Sequence, residues 1–210
     1  MNSSHFEWMG TISFKQSLKL QESFKKKAQN KKNYFIGFEV SHPVISLGLR
    51  ADKTHILWKK KRLKKFNISV VKVRRGGQAT LHAPGQLVIY PVVYLNSLGL
   101  KVKDFILFLQ KVTKLFLEKY EINTTPGKDF AGLYTNKGKI AFFGIHISQG
   151  VNQNGLSINL DNDLSLFDSI KSCGHFLRLH DKMSNYQKGA LEKEKLFLTW
   201  CDLFLKELKP

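Results

Sequence analysis

A mixed α/β domain, built on a largely antiparallel sheet covered by helices, is the fold class this sequence predicts. Three observations carry it. Stretches with strand character outnumber helical ones, helical periodicities fall at both ends and in the middle, and the connections between strands are short and polar. The chain has 210 residues, 42% of them apolar, which suits one core and a single domain over 1–210. No internal repeat or low-complexity linker divides it.

The elements follow in order. Residues 12–29 predict a helix, with Phe14, Leu18, Leu20 and Phe24 spaced for one apolar face and Lys25, Lys26 and Lys27 placed at the negative pole of its dipole. Residues 34–40 and 44–48 read as strands around Ser41-His42-Pro43, and Lys59 to Lys65 as a loop or a frayed edge. Strands are expected at 68–73 and 87–94, flanking a glycine-rich loop over 75–86. Residues 102–120 give the clearest helix, because Val102, Phe105, Ile106, Leu109, Val112, Leu115 and Phe116 fall on one 3.6-residue stripe. Strands at 131–135, 139–147 and 156–160 follow, the first two joined by the hairpin turn Asn136-Lys137-Gly138. A short helical turn at 167–174, a polar irregular stretch over 175–189 and a final helix over 191–208 complete the chain, with Leu196, Trp200, Leu203 and Phe204 on one face of that helix.

Charge is unevenly placed. The formal net charge is +18. Residues 1–75 hold 18 Lys and Arg against 4 Asp and Glu, a net of +14, and residues 76–210 hold 16 against 12, a net of +4. Such a face attracts polyanions: nucleic acid, anionic lipid or an acidic protein. No zinc-finger spacing or RNA-recognition aromatic motif accompanies it. No apolar run reaches the roughly 18 residues of a membrane span. Residues 1–10 lack the basic start and apolar core of a secretion signal, so the expected location is cytoplasmic. Cys173 and Cys201 have no CxxC spacing, which argues against a zinc site, and no metal is expected.

The loop Arg75-Gly76-Gly77-Gln78-Ala79-Thr80-Leu81-His82-Ala83-Pro84-Gly85-Gln86 concentrates chemistry. Glycine lets a backbone approach a ligand closely, and flanking strands would mount the loop as a binding site on a sheet. A long hairpin turn is the alternative, although turn chemistry requires neither the arginine, the histidine nor both glutamines. His82 is a general base, an orienting group or a structural histidine. Lys139 opens the apolar strand Lys139-Ile140-Ala141-Phe142-Phe143-Gly144-Ile145, where burial favours a neutral amine; otherwise it caps a strand edge. Cys173, in Ser172-Cys173-Gly174, is either an accessible thiol activated by a nearby cation or a buried inert one. His146 and Cys201 read as structural.

These blocks together resemble the lipoyl(octanoyl) transferase family, the octanoyl–acyl carrier protein:protein octanoyltransferases. The carriers of the resemblance are the loop at 75–86 with Leu87-Val88-Ile89-Tyr90-Pro91, Lys139-Ile140-Ala141 with Gly144, Gly155-Leu156-Ser157-Ile158-Asn159-Leu160, and Ile170 with Cys173-Gly174. Their order fits, as do Gln21 and His42-Pro43-Val44 before Gly48, and the similarity covers roughly residues 8–180. Ala83, Asn154, Ser157 and Ser172 depart from the family pattern, which has glycine, histidine, alanine and proline there. The resemblance implies the fold of biotin and lipoate protein ligase catalytic domains. It also implies transfer of an octanoyl group from acyl carrier protein to a lysine of lipoyl domains, such as those of 2-oxoacid dehydrogenase E2 subunits, with no cofactor. Cys173 is then the acyl-thioester nucleophile and Lys139 the partner that lowers its pKa. Arg75, Gly76, Gly77, Gln78, Ala79, Thr80, Leu81, His82, Phe142, Phe143, Gly144, Gly155, Leu156 and Ser157 are expected to line the acyl pocket. Three other readings stay open: an ATP-dependent lipoate or biotin ligase of the same fold, a nucleic-acid-binding protein that uses the basic face, and a non-catalytic family member.

Overall fold

Alternating apolar side chains sort the strands of this chain into a sheet with two different faces. The computed structural model describes residues 4–29, 32–127, 132–171 and 179–208. Its elements are β1 (Ser4–Ile12), α1 (Phe14–Ala28), β2 (Asn33–Val40), β3 (Val44–Leu47), α2 (Lys60–Lys65), β4 (Ser69–Lys72), β5 (Ala79–His82), β6 (Gln86–Val92), α3 (Leu95–Leu98), α4 (Val102–Glu118), β7 (Thr125–Pro126), β8 (Gly132–Tyr134), β9 (Lys139–Ser148), β10 (Val151–Asn159) and α5 (Lys193–Leu208). Single 3-10 turns lie at Lys53–His55, Leu164–Ser169 and Met183–Asn185.

The strands form a larger sheet in the order β1-β2-β6-β10-β9-β8-β7 and a smaller one in the order β4-β3-β5. Neighbours pair antiparallel except β1 with β2 and β3 with β4. The first parallel pair is possible because α1 supplies the crossover between its strands. Phe35, Leu87, Ile89, Leu156 and Ile158 project to one face, where α4 and α5 cover them with Phe105, Leu109, Phe116, Phe197, Trp200 and Phe204. Ile36, Phe38, Val88 and Tyr90, one residue out of step, project to the other face with Phe14 and Phe24 of α1. A third cluster under the small sheet joins Ile45, Leu81, Trp58, Leu63, Phe142 and Phe167.

Local chemistry fixes the helix ends. Ser13 caps α1, its hydroxyl accepting from Gln16 N while Gln16 Oε1 accepts from Ser13 N, and Lys25, Lys26 and Lys27 fill the last turn. α4 and α5 are tied by Trp200 Nε1, which donates to Thr113 Oγ1 at 3.0 Å. Cys201 lies buried at this interface, and burial pushes its thiol up, which leaves it inert.

Several expectations need correction. Lys59 to Lys65 is neither a loop nor a frayed edge: α2 is helical over Lys60–Lys65 with Lys59 as its N-cap, because Lys, Arg and Leu are good helix formers and Leu63 anchors it in the third cluster. The loop over 75–86 contains a strand, β5, which pairs with β3. The strands on either side of that loop belong to different sheets, so the segment crosses between sheets and is not mounted on one. Residues 4–12, for which no element was expected, form β1, and β10 starts at Val151, earlier than residue 156. The short helical turn ends at Ser169, and residues 172–174 of its expected span lie outside the described residues.

Phe204 packs edge-on against Phe35 (4.8 Å between centroids) and Phe108 (4.9 Å), joining both helices to the sheet. Phe204→Ala is expected to lower stability by about 3–5 kcal/mol, read as a reduced urea midpoint with little change in slope.

Candidate active site

Where the two sheets part, the alternation that fills the core leaves a cleft of about 550 Å³, its open mouth included. Arg75, Gly77, Gln78, Ala79, Thr80 and His82 wall one side, and Lys139, Phe142, Phe143, Gly144, Gly155, Leu156 and Ser157 the other. Phe14, Tyr90 and Asn154 complete the lining. Antiparallel register brings the second wall together: Gly155 faces Gly144, Leu156 faces Phe143 and Ser157 faces Phe142. Gly155 has a steric reason, since a Cβ there would overlap Ile89 O of the neighbouring strand.

Two of the expected lining residues point elsewhere. Leu81 is fully buried in the cluster below the small sheet, because β5 sends alternate side chains to opposite faces and Thr80 and His82 take the cleft side. Gly76 donates its N–H to Ile145 O at 2.9 Å and so ties the loop to β9. Phe14, Tyr90 and Asn154 were not expected; α1 and β6 deliver the first two through tertiary packing. Cys173 lies outside the described residues. The chain before it is held by Lys171 N–H donating to His55 O (2.8 Å), and the chain after it by Leu179 O accepting from Lys139 N–H (2.9 Å).

Arg75 acts as a clamp at the cleft wall. Its Nη2 donates to Ser46 O (2.6 Å) and Ser46 Oγ (2.9 Å), and its Nη1 to Gly76 O (2.9 Å). His82 is buried and stacks on Phe14, with 5.2 Å between ring centroids. Burial, reinforced by the positive charge of Arg75, pulls its pKa down to about 3, so the imidazole is neutral at neutral pH. Burial pushes the Tyr90 phenol up, so it keeps its proton. Four polar atoms on the lining, Gln78 Oε1, Thr80 Oγ1, His82 Nδ1 and Ser157 Oγ, have no hydrogen-bond partner among the described residues.

Lys139 opens β9 at the floor of the cleft and is 1% exposed. Its Nζ lies 4.9 Å from the Phe142 ring centroid and 5.5 Å from that of Tyr134, positions where an ammonium is attracted to the ring faces. Its side chain runs over Gly132, where a Cβ would overlap Lys139 Cε. A polar hub fixes the backbone beneath it. Lys139 O accepts from Asp181 N (2.9 Å) and from Asn159 Nδ2 (3.4 Å), and Asn159 in turn accepts from Gln86 Nε2 (2.7 Å) and donates to Asp181 O (2.8 Å). The Asp181 carboxylate accepts from Thr135 Oγ1, Tyr186 OH, Asn185 Nδ2 and Lys182 N. Burial alone would raise its pKa, but these donors together hold it below the ordinary 3.8. No trio of His, Cys, Asp or Glu able to hold a metal ion occurs among the described residues.

The fold is shared with lipoate and biotin protein ligases. A lipoate-protein ligase A bound with ATP superposes with a TM-score of 0.81 at 14% identity, over 99% of this chain and 86% of that one. The biotin protein ligase from Aquifex aeolicus gives 0.57 at 12% identity, over 97% and 68%. The chain belongs to the lipoyl protein ligase A/B catalytic domain family, whose model matches residues 13–186. It is 36% identical over 136 residues to an octanoyltransferase of Saccharophagus degradans, covering 65% of this chain and 61% of that protein. The match therefore spans about three-fifths of the length of such relatives. No described helix is long and apolar enough to cross a membrane.

Two predictions follow from this geometry. His82 has an ordinary pKa of 6.5 unfolded and about 3 folded, so between those values the unfolded chain binds the extra proton and stability falls as the pH is lowered. In His82→Gln, the slope of stability against pH, from urea titrations between about pH 4 and 7, is expected to fall by close to one proton. Gly132→Ala forces its methyl group into Lys139 and is expected to cost roughly 1–3 kcal/mol of stability, measured the same way.

Proposed function

We propose that this chain transfers an octanoyl group from the thioester of acyl carrier protein to a lysine of a lipoyl domain, by way of a thioester on Cys173. The observation that carries this reading is the amine of Lys139, buried at the floor of an apolar cleft that the family's glycine-rich blocks wall from both sides. The octanoyltransferase relatives and the family membership support it. Cys173 enters through the resemblance.

In the first step the Cys173 thiolate attacks the acyl carbonyl. Its new C–S bond replaces the C–S bond to the donor, whose sulfur leaves with the electron pair and takes a proton from the Lys139 ammonium. In the second step the acceptor amine attacks the enzyme thioester, a C–N bond forms, and the Cys173 sulfur leaves with its electron pair. Lys139, charged, favours the thiolate; neutral, it takes the proton that the amine must lose. A thioester is activated enough that the cycle needs no ATP. Phe142 and Phe14 supply apolar surface along the cleft. At about 0.8 kcal/mol per methylene, the six of an octanoyl chain offer roughly 5 kcal/mol before ordering costs. Acyl carrier protein as donor and the lipoyl domains of 2-oxoacid dehydrogenase E2 subunits as acceptors belong to this proposal, as does a cytoplasmic location.

Incubation with octanoyl–acyl carrier protein is expected to add one octanoyl group to the protein by intact-mass spectrometry, released by hydroxylamine. Cys173→Ala is expected to abolish the adduct and the transfer with the fold intact. Lys139→Met is expected to lower transfer by at least about 10²-fold. Full activity of Cys173→Ala, or turnover of free octanoate that depends on ATP, would overturn the reading, the second in favour of a ligase.

A further inference from the structure

Between Asp52 and Asp104 the sequence holds no acidic residue. Lys59, Lys60, Lys61, Arg62, Lys64 and Lys65 are all exposed on and before α2, and none takes part in an ion pair among the described residues. The helix is not loose: Leu63 is buried, and the Arg62 guanidinium sits 3.9 Å from the Trp58 ring centroid. This stretch therefore presents fixed positive charge that nothing in the described chain neutralises.

Its position and its apolar content narrow the partner. Leu63 and Trp58 pack in the same cluster as Phe167 and Phe142, and Phe142 lines the cleft, so α2 is anchored on the cluster that reaches the site. The chain just before α2 is bonded to the segment that leads to Cys173: Leu57 N–H donates to Ser169 O at 2.8 Å. Leu49, Leu57, Phe66 and Val70, exposed by 66%, 42%, 38% and 41%, fall in the same stretch of chain. Leu49, Leu57 and Val70 are aliphatic and cannot stack on bases, and apolar groups interspersed with cations are what a protein interface uses. Leu63, the one apolar side chain of α2, is buried, so the helix offers no apolar face to a membrane.

We infer that α2 and the exposed apolar side chains around it form the docking face for an acidic protein domain that presents the acyl thioester to the cleft. The inference rests on the transfer reading above and adds the surface by which the donor is held. Charge supplies steering and register, and the apolar groups supply contact.

The test uses the full chain with Lys60→Glu, Lys61→Glu, Lys64→Glu and Lys65→Glu combined, Leu63 being kept and folding checked by circular dichroism and thermal unfolding. Transfer is measured from octanoyl–acyl carrier protein and from the uncharged thioester octanoyl-N-acetylcysteamine. Binding of the apo carrier is measured by titration calorimetry at two salt concentrations. With the carrier-borne substrate kcat/KM is expected to fall about 10- to 100-fold, with loss of its salt dependence. With the small thioester it stays within about twofold, since the variant leaves the cleft untouched. Equal losses on both substrates, unchanged carrier binding, or tighter binding of single-stranded RNA or anionic phosphatidylserine vesicles than of carrier would overturn the docking face. If the wild-type chain transfers from neither donor, the transfer reading fails, and the carrier titration still decides the docking face by itself.

Discussion

Burying the amine of Lys139 is the constraint on which the rest of the site depends. An ammonium out of water is costly unless its surroundings repay it, and here they are aromatic faces with a strand backbone that cannot shift. The immobility comes from polar groups on the other side of the same residue. Lys139 O and N–H are both engaged, one by Asp181 and Asn159, the other by Leu179. Asp181 is itself held by donors from Thr135, Lys182, Asn185 and Tyr186. A buried network that is satisfied at every member specifies one geometry. Gly132 then matters by what it lacks, because any side chain there would occupy the path of the lysine.

The cleft exists because two sheets share a wall without filling the space between them. On the α4–α5 face of the large sheet every layer is closed by aromatic and branched side chains. On the opposite face α1 covers only part of the strands, and the small sheet covers another part through β5. The remaining gap is lined by glycine backbone, by rings, and by hydroxyl, amide and imidazole groups whose hydrogen-bonding capacity is unspent. Groups of that kind are costly in an empty interior and suited to a ligand or water that completes them.

The long helices were legible because burial imposes a 3.6-residue period, and α4 and α5 obey it. The strands that pair on both sides were legible for the same kind of reason. β1 was not: an edge strand that mixes His5, Glu7 and Gly10 with Phe6 and Trp8 has no clean alternation. α2 was hidden because helix-forming lysines exposed on all sides leave no stripe. Reading residues 75–86 as one loop caused the error at Leu81, since recognising β5 would have sent it to the face opposite Thr80 and His82. Phe14 and Tyr90 reach the cleft from elements remote in sequence, and the Asp181 hub depends on contacts between β9, β10 and the turn at Met183–Asn185. No periodicity reports such contacts. The glycine-rich blocks and Lys139, by contrast, were identifiable as a set, and the structure gathers most of them around one cleft.

Asn154 has a structural role of its own at the cleft wall. Its backbone is left-handed, with φ of 60°, a region in which asparagine and histidine are both enriched among non-glycine residues. Its N–H donates to Gln21 Oε1 of α1, and its side-chain amide to Arg74 O at 3.3 Å. The residue thus links the first helix, the strand that walls the cleft and the start of the glycine-rich crossing. A side chain that tolerates this backbone and donates one hydrogen bond meets that requirement. An amide does not titrate in water, so the position can hold the wall in place without taking part in any proton transfer.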